Sequence, residues 1–380
     1  MIPSFYRPAL VFVFVLTACS SGKKAFDRGD YYDAVIKSVN RIRRDPGHSK
    51  SLDALTNAYP LALQLLETQA QNTIASNDNF KWKNVINSYN RINTMYEEIR
   101  QCPGCLKVVK SPKNYYAELG PLKEKAAEES YIAGINDLMK GTRNDAKTAY
   151  FNFKDVQYFS PGYKDVIEYL EKSKFEATLK VILEQIRVPG RYELSNKFFQ
   201  DNVEEFVHTY YTDQTFIKFY TPQEADAVDL PYADQIVNIQ FDDFSIGNTT
   251  LKEKVETFTK DSVIVGDTRV DGKFVPVYAT VKAKYTSYRK EIVSSGLLSL
   301  RIEDAKTHGV LTHRKFPGGY AWFNTWARFN GDERALTEEQ IKLAKQAELQ
   351  PPAHQTMFME FTEPLYAQLV PAIRTFYQNY

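Results

Sequence analysis

Pro276-Val277-Tyr278-Ala279-Thr280-Val281-Lys282-Ala283-Lys284-Tyr285-Thr286-Ser287-Tyr288 decides how the second half of this chain folds. Val277, Ala279, Val281, Ala283 and Tyr285 point one way, and Thr280, Lys282, Lys284 and Thr286 the other. Period two is the strand period, and one wet face predicts a sheet backed on one side only. Leu298, Leu300 and Ile302 repeat the alternation, and Thr307-His308-Gly309 turns the chain into a further strand, Val310–Phe316. Tyr320, Trp322, Phe323, Trp326 and Phe329 crowd its exit. Upstream, Thr178–Val188 alternates and is rich in Val, Ile and Leu, so it reads as the first strand. Asn196–Tyr211 follows as a helix with Phe199, Val203, Phe206, Val207 and Tyr210 on one stripe, then strands at Phe216–Tyr220 and Gln235–Phe241. Strand, helix, strand, strand and a long meander is the order of an α+β domain with a mixed, largely antiparallel sheet, over residues 176–331.

Residues 19–175 carry a different code, helical throughout from Ala25. Gly29-Asp30-Tyr31, Ala34 and Pro46 have the spacing of a turn glycine, a small contact residue and a helix-stopping proline. Leu52, Leu55 and Tyr59 then fall where a following helix places its core residues. Gly134, Gly141, Ala146 and Pro161 repeat the pattern, with a last helix about one turn longer. These spacings resemble the tetratricopeptide repeat. Arg41 and Phe153 stand where that repeat carries a small residue, so an irregular helical bundle with two repeat-like hairpins is the equal alternative.

After Asn330-Gly331-Asp332, residues 332–380 read as two helices packing on the α+β domain. Glu338–Leu349 is polar on one face, and Gln350-Pro351-Pro352 is a stiff break. Pro364–Tyr377 places Leu365, Leu369, Ile373 and Tyr377 on one stripe, which reads as core packing. Pro364 suits a helix start, and Pro371 inside predicts a kink.

The N-terminus gives location. The apolar run Ala9–Ala18 follows Arg7 and ends in Leu16-Thr17-Ala18-Cys19. A positive flank, a short apolar core and small residues before the cut are the parts of a secretory signal, residues 1–18. The run falls short of the roughly 20 apolar residues that a membrane-spanning helix needs. A cysteine at the first mature position resembles the bacterial lipoprotein signal, which implies lipidation of Cys19. Residues 1–18 hold one charge, Arg7, so the 48 Lys+Arg and 47 Asp+Glu of the chain leave a neutral mature protein. Neutrality argues against nucleic acid, where released counterions drive binding. The 25 Tyr and 24 Phe residues are explained by an aromatic core rather than by a stacking site.

Cys102-Pro103-Gly104-Cys105 is an even pair in an exported chain and reads as a loop-pinning disulfide. Thiol–disulfide exchange is the alternative, but Cys102 follows the helical stretch Asn84–Arg100 and so sits at a helix C-terminus, where no dipole lowers its pKa. Zinc lacks further ligands at suitable spacing. Catalytic templates fail in turn: no nucleophile elbow, phosphate loop, helical zinc motif or dinucleotide glycines occur. His308 and His313 flank a turn without a third ligand; His208 borders a helix stripe, and His48 is a turn residue. Asp242 and Asp243 are adjacent strand residues, which face opposite sides unless a bulge intervenes. The chain therefore reads as a non-enzyme without metal or cofactor.

Element order over Leu179–Phe316 resembles the periplasmic α/β domain shared by the curli-secretion pore lipoprotein and the lipoprotein activators of penicillin-binding proteins. Two local echoes support it: Ala233-Asp234-Gln235-Ile236 opening a strand, and Arg301-Ile302-Glu303-Asp304-Ala305-Lys306-Thr307 before a turn. Those families typically carry glycine after the threonine, where this chain has His308. The whole chain is similar to envelope lipoproteins of Bacteroidota-type bacteria. The resemblance implies a scaffold or adaptor in an envelope assembly or secretion machine, with cell-wall glycan or its synthases as the alternative partners. Ser20-Ser21-Gly22-Lys23-Lys24 has neither the Asp of inner-membrane retention nor the acidic cluster of a surface-export tag. That places the expected protein on the periplasmic face of the outer membrane, held by lipid and facing envelope proteins.

Overall fold

The computed structural model describes residues 22–187, 193–212 and 215–380. Cys19 and the apolar run before it lie outside the described residues, as does Val188. The chain is α+β and divides into two compact units, Met1–Ala177 and Thr178–Tyr380. The second unit takes in residues 332–380 with the sheet.

In the first unit the helices are α1 (Gly22–Asp27), α2 (Tyr31–Arg44), α3 (Ser49–Ala75), α4 (Lys81–Arg100), the one-turn α5 (Pro103–Leu106), α6 (Tyr116–Met139), α7 (Arg143–Phe159) and α8 (Val166–Ala177). They share one core, in which Ala34, Val39, Leu55, Ile92 and Phe153 are buried. Gly29 turns the chain into α2 at φ +82°, a conformation that costs glycine little. Phe153 occupies a position where the repeat pattern calls for a small residue, and α6 makes the room. A Cβ on Gly134 would lie 2.8 Å from the Phe153 ring, so the small residue of this contact sits on the facing helix. The segment between α5 and α6 is clipped down: Tyr59 accepts from the Lys113 amide at 2.7 Å, and Asn93 from the Tyr115 amide at 2.6 Å.

The second unit contains β1 (Leu179–Leu183), α9 (Glu193–Tyr210), β2 (Ile217–Tyr220), α10 (Pro222–Ala227), β3 (Gln235–Ile246), β4 (Thr250–Val270), β5 (Lys273–Asp304), β6 (Val310–Gly331), α11 (Glu338–Ala344) and α12 (His354–Tyr377). β1 pairs parallel with β2 and β3; β3, β4 and β6 pair antiparallel with β5. β3 and β4 lie end to end along one edge of β5, and β6 lies along the other. Pro276–Tyr288 and Leu298–Ile302 are thus parts of one 32-residue strand rather than two. The aromatic run from Tyr320 to Phe329 belongs to β6 rather than to an exit loop.

α9 and α12 cover one face of the sheet. Val237, Ile239, Leu298, Leu300, Ile302 and Phe316 meet Phe199, Val203, Phe361, Leu365, Leu369 and Ile373 in the core. Tyr210 leaves the predicted stripe: it is exposed, with the Arg374 guanidinium 4.3 Å from its ring, and Tyr211 is the buried residue. α12 begins ten residues before Pro364, so Pro364 and Pro371 both lie inside it, while the stripe Leu365, Leu369, Ile373 and Tyr377 is buried as read. α11 ends at Ala344, short of Leu349. The close seat of α12 depends on a cross-strand glycine pair, Gly296 and Gly318. A Cβ on Gly296 would lie 2.3 Å from the Asp243 carbonyl oxygen, and one on Gly318 2.8 Å from Leu365.

Candidate functional site: a polar grid and a bare ribbon

On the sheet face opposite α9 and α12, alternation brings eight polar residues into two rows. Register pairs Asn238 with Arg301 and Arg301 with His313, and Gln185 flanks them from the end of β1. Two residues along, Arg187 bridges to Gln240, which pairs with Ser299, which pairs with Lys315. Four strand positions at about 4.8 Å spacing make each row about 14 Å wide. Ile186, between Gln185 and Arg187, is buried on the helix side, which turns its two neighbours toward this face. The residues surround a hollow of about 240 Å³, smaller than a groove of about 700 Å³ near Trp82 and Ile132 in the helical unit.

A carboxylate closes each end of the grid. Asp242 accepts from Ser299 at 2.5 Å and from Gln240 at 2.9 Å, and pairs with Lys315 at 2.8 Å. The lysine and the serine hydroxyl hold its carboxyl down at about 2. Glu303 pairs with Arg301. The side chains of Gln185, Arg187, Asn238 and His313 have no polar partner among the described residues. Three permanent cations thus face two carboxylates, and both carboxylates are already engaged.

The bulge that the acidic pair required is present. The β3–β5 register shifts between Phe241 and Asp243, so two consecutive acids are exposed while Phe241 and Phe244 are both buried in the core. Only Asp242 is tied into the grid. His313 lies in the grid, whereas His308 sits in the turn at φ +56°. Among the described residues no group of three or more His, Cys, Asp or Glu side chains is placed to hold a metal. His208 lies 3.5 Å from Glu224, and His48 caps α3 by accepting from the Ser51 amide at 3.3 Å. Cys102 and Cys105 are joined and buried. Cys102 follows the end of α4 as expected but also caps α5, its sulfur accepting from the Cys105 amide. The sequence reading missed the grid because its members come from β3, β5, β6 and the segment that follows β1, and only register brings them together.

Beyond Ala283, where β6 ends on Gly331, β4 and β5 continue as a two-stranded ribbon. Its base is held: Tyr285 donates to the Gln340 carbonyl at 3.2 Å, and Arg334 to the Ile264 carbonyl at 2.6 Å. Toward the Asp271-Gly272 turn the strands are exposed on both faces, Val277, Tyr278 and Phe274 included. Here the expectation of a sheet backed on one side fails. The alternation in Pro276–Tyr288 is real, but only from Val281 onward does its apolar side meet a core. Leu251, Val255, Ile264, Val265, Val270 and Val275 are also exposed.

Among the described residues no helix is long and apolar enough to cross a membrane. No family model matches the chain, and no curated protein does. Among solved structures it is similar to a putative neuraminyllactose-binding hemagglutinin homolog from Helicobacter pylori, at 10% identity and a TM-score of 0.28, covering 53% of this chain and 89% of that one. At that score the likeness carries no argument.

Proposed function

We propose that this chain is a non-catalytic scaffold or adaptor in an envelope assembly or secretion machine, tethered by lipid on Cys19 to the periplasmic face of the outer membrane. The ribbon is the observation that carries the reading. Two strands alone are marginal in water, and here they display Phe274, Val275, Val277 and Tyr278 to solvent. Contiguous exposed apolar surface of this kind marks contact with another macromolecule. The Leu16–Cys19 signal supports the tether, and the absence of catalytic templates from the sequence favours binding over turnover. The helical unit offers further surface, with Met139, Phe151 and Tyr158 exposed.

Photo-crosslinking in native membranes tests this. A crosslinker at Val277 should capture one envelope protein that a crosslinker at Lys306, in the turn before β6, does not. A ribbon that captures nothing, in a protein that pellets with purified cell wall, would replace this reading with the cell-wall one.

A further inference from the structure

The geometry points to the polar grid as a binding site for a small oxyanion, a carboxylate or phosphate compound, held between Arg187 on one side and His313 with Lys315 on the other. This goes beyond the scaffold reading, which does not use the site. The arrangement has a division of labour. Asp242 and Glu303 offset the charges of Lys315 and Arg301, to which they are bonded, and leave the Arg187 charge without a carboxylate among the described residues. Those bonds also fix Lys315 and Arg301 in place, which lowers the cost of ordering them around a ligand.

Arg187 and His313 are left with donors that no described residue accepts, at opposite ends of the rows. A guanidinium offers a planar fork suited to carboxylate and phosphate oxygens. Between the ends, the amides of Asn238 and Gln185 bring donors and acceptors for hydroxyl or amide groups beside the anion. Among the described residues no Phe, Tyr or Trp lines the hollow, and all of its lining residues but Ile239 are polar, which favours a polar ligand. At about 240 Å³ the space is below the roughly 300–1,000 Å³ of sites for drug-sized ligands, which limits it to a small compound.

Titration calorimetry on the full chain, at low salt, tests the assignment with malate, glycerol 3-phosphate and neutral glycerol as probes. Binding of malate or of glycerol 3-phosphate at millimolar concentration, with glycerol silent, supports it, and the tighter of the two names the anion. Arg187→Ala and His313→Ala remove side chains that hold no other group in place, so both variants should melt like the parent. Each should weaken binding about tenfold, as the loss of one charge-assisted hydrogen bond does. Lys282→Ala, on the ribbon, should leave affinity unchanged. If neither anion binds, or if Arg187→Ala and His313→Ala bind like the parent, the grid is not an oxyanion site. The scaffold proposal stands or falls separately, on the ribbon.

Discussion

Asp242 shows how one residue changes meaning between sequence and structure. An adjacent acidic pair on a strand should split across the sheet, and the bulge prevents that. Its carboxyl, held down at about 2 by Lys315 and Ser299, stays ionised well below the ordinary range near 3.8. A depressed carboxyl contributes stability that is complete above its unfolded value and is lost as pH falls through its folded one. Asp242→Asn should therefore cost about 1 kcal/mol at neutral pH and progressively less as pH falls from about 4 through 2, as read by urea unfolding across that range. The glycine pair gives a second test. Gly296→Ala drives a Cβ into a backbone oxygen and should cost about 3 kcal/mol, whereas Gly318→Ala meets the movable end of Leu365 and should cost about 1 kcal/mol. Thermal melts of the two should differ accordingly. His308 occupies the left-handed region at φ +56°, which gives a physical reason for a glycine at this turn. His308→Gly should raise the melting temperature, by relief of about 1 kcal/mol.

At the scale of elements, legibility followed local period. The helices of the first unit, the buried stripe of α12 and the strand character of Pro276–Tyr288 are written in spacings of a few residues. Lengths were not. β5 reads as two strands because Gly296 and its serine neighbours interrupt the alternation, yet those small residues are what let α12 approach. α12 starts before Pro364 because Phe358 and Phe361 find a core against Phe241 and Phe244, a tertiary gain that outweighs a proline in the helix. Burial was the least legible property. Alternation shows that a strand has two unlike faces, and only the rest of the fold decides whether the apolar face is covered. In β5 it is covered as far as Val281, with Ala283 and Tyr285 packed against Leu336 and its neighbours, and bare beyond.

For the whole molecule, the disulfide and the proposed lipid site divide the cysteines. Cys102 and Cys105 are buried and joined, so thiol exchange would require local opening, and the pair acts as a pin beside α4. Cys19→Ala should shift the protein from the membrane to the soluble periplasmic fraction; retention on the membrane would overturn the tether. A tethered scaffold must also cover its ribbon when at work. Phe274→Cys places a thiol where the native ring is 74% exposed, while Cys102 and Cys105 are already joined. Maleimide labelling of that variant, compared between the purified protein and the intact envelope, reads the covering directly. Rapid labelling of the purified protein and strong protection in the envelope are expected; equal labelling in both would mean that the ribbon stays uncovered and would overturn the scaffold reading.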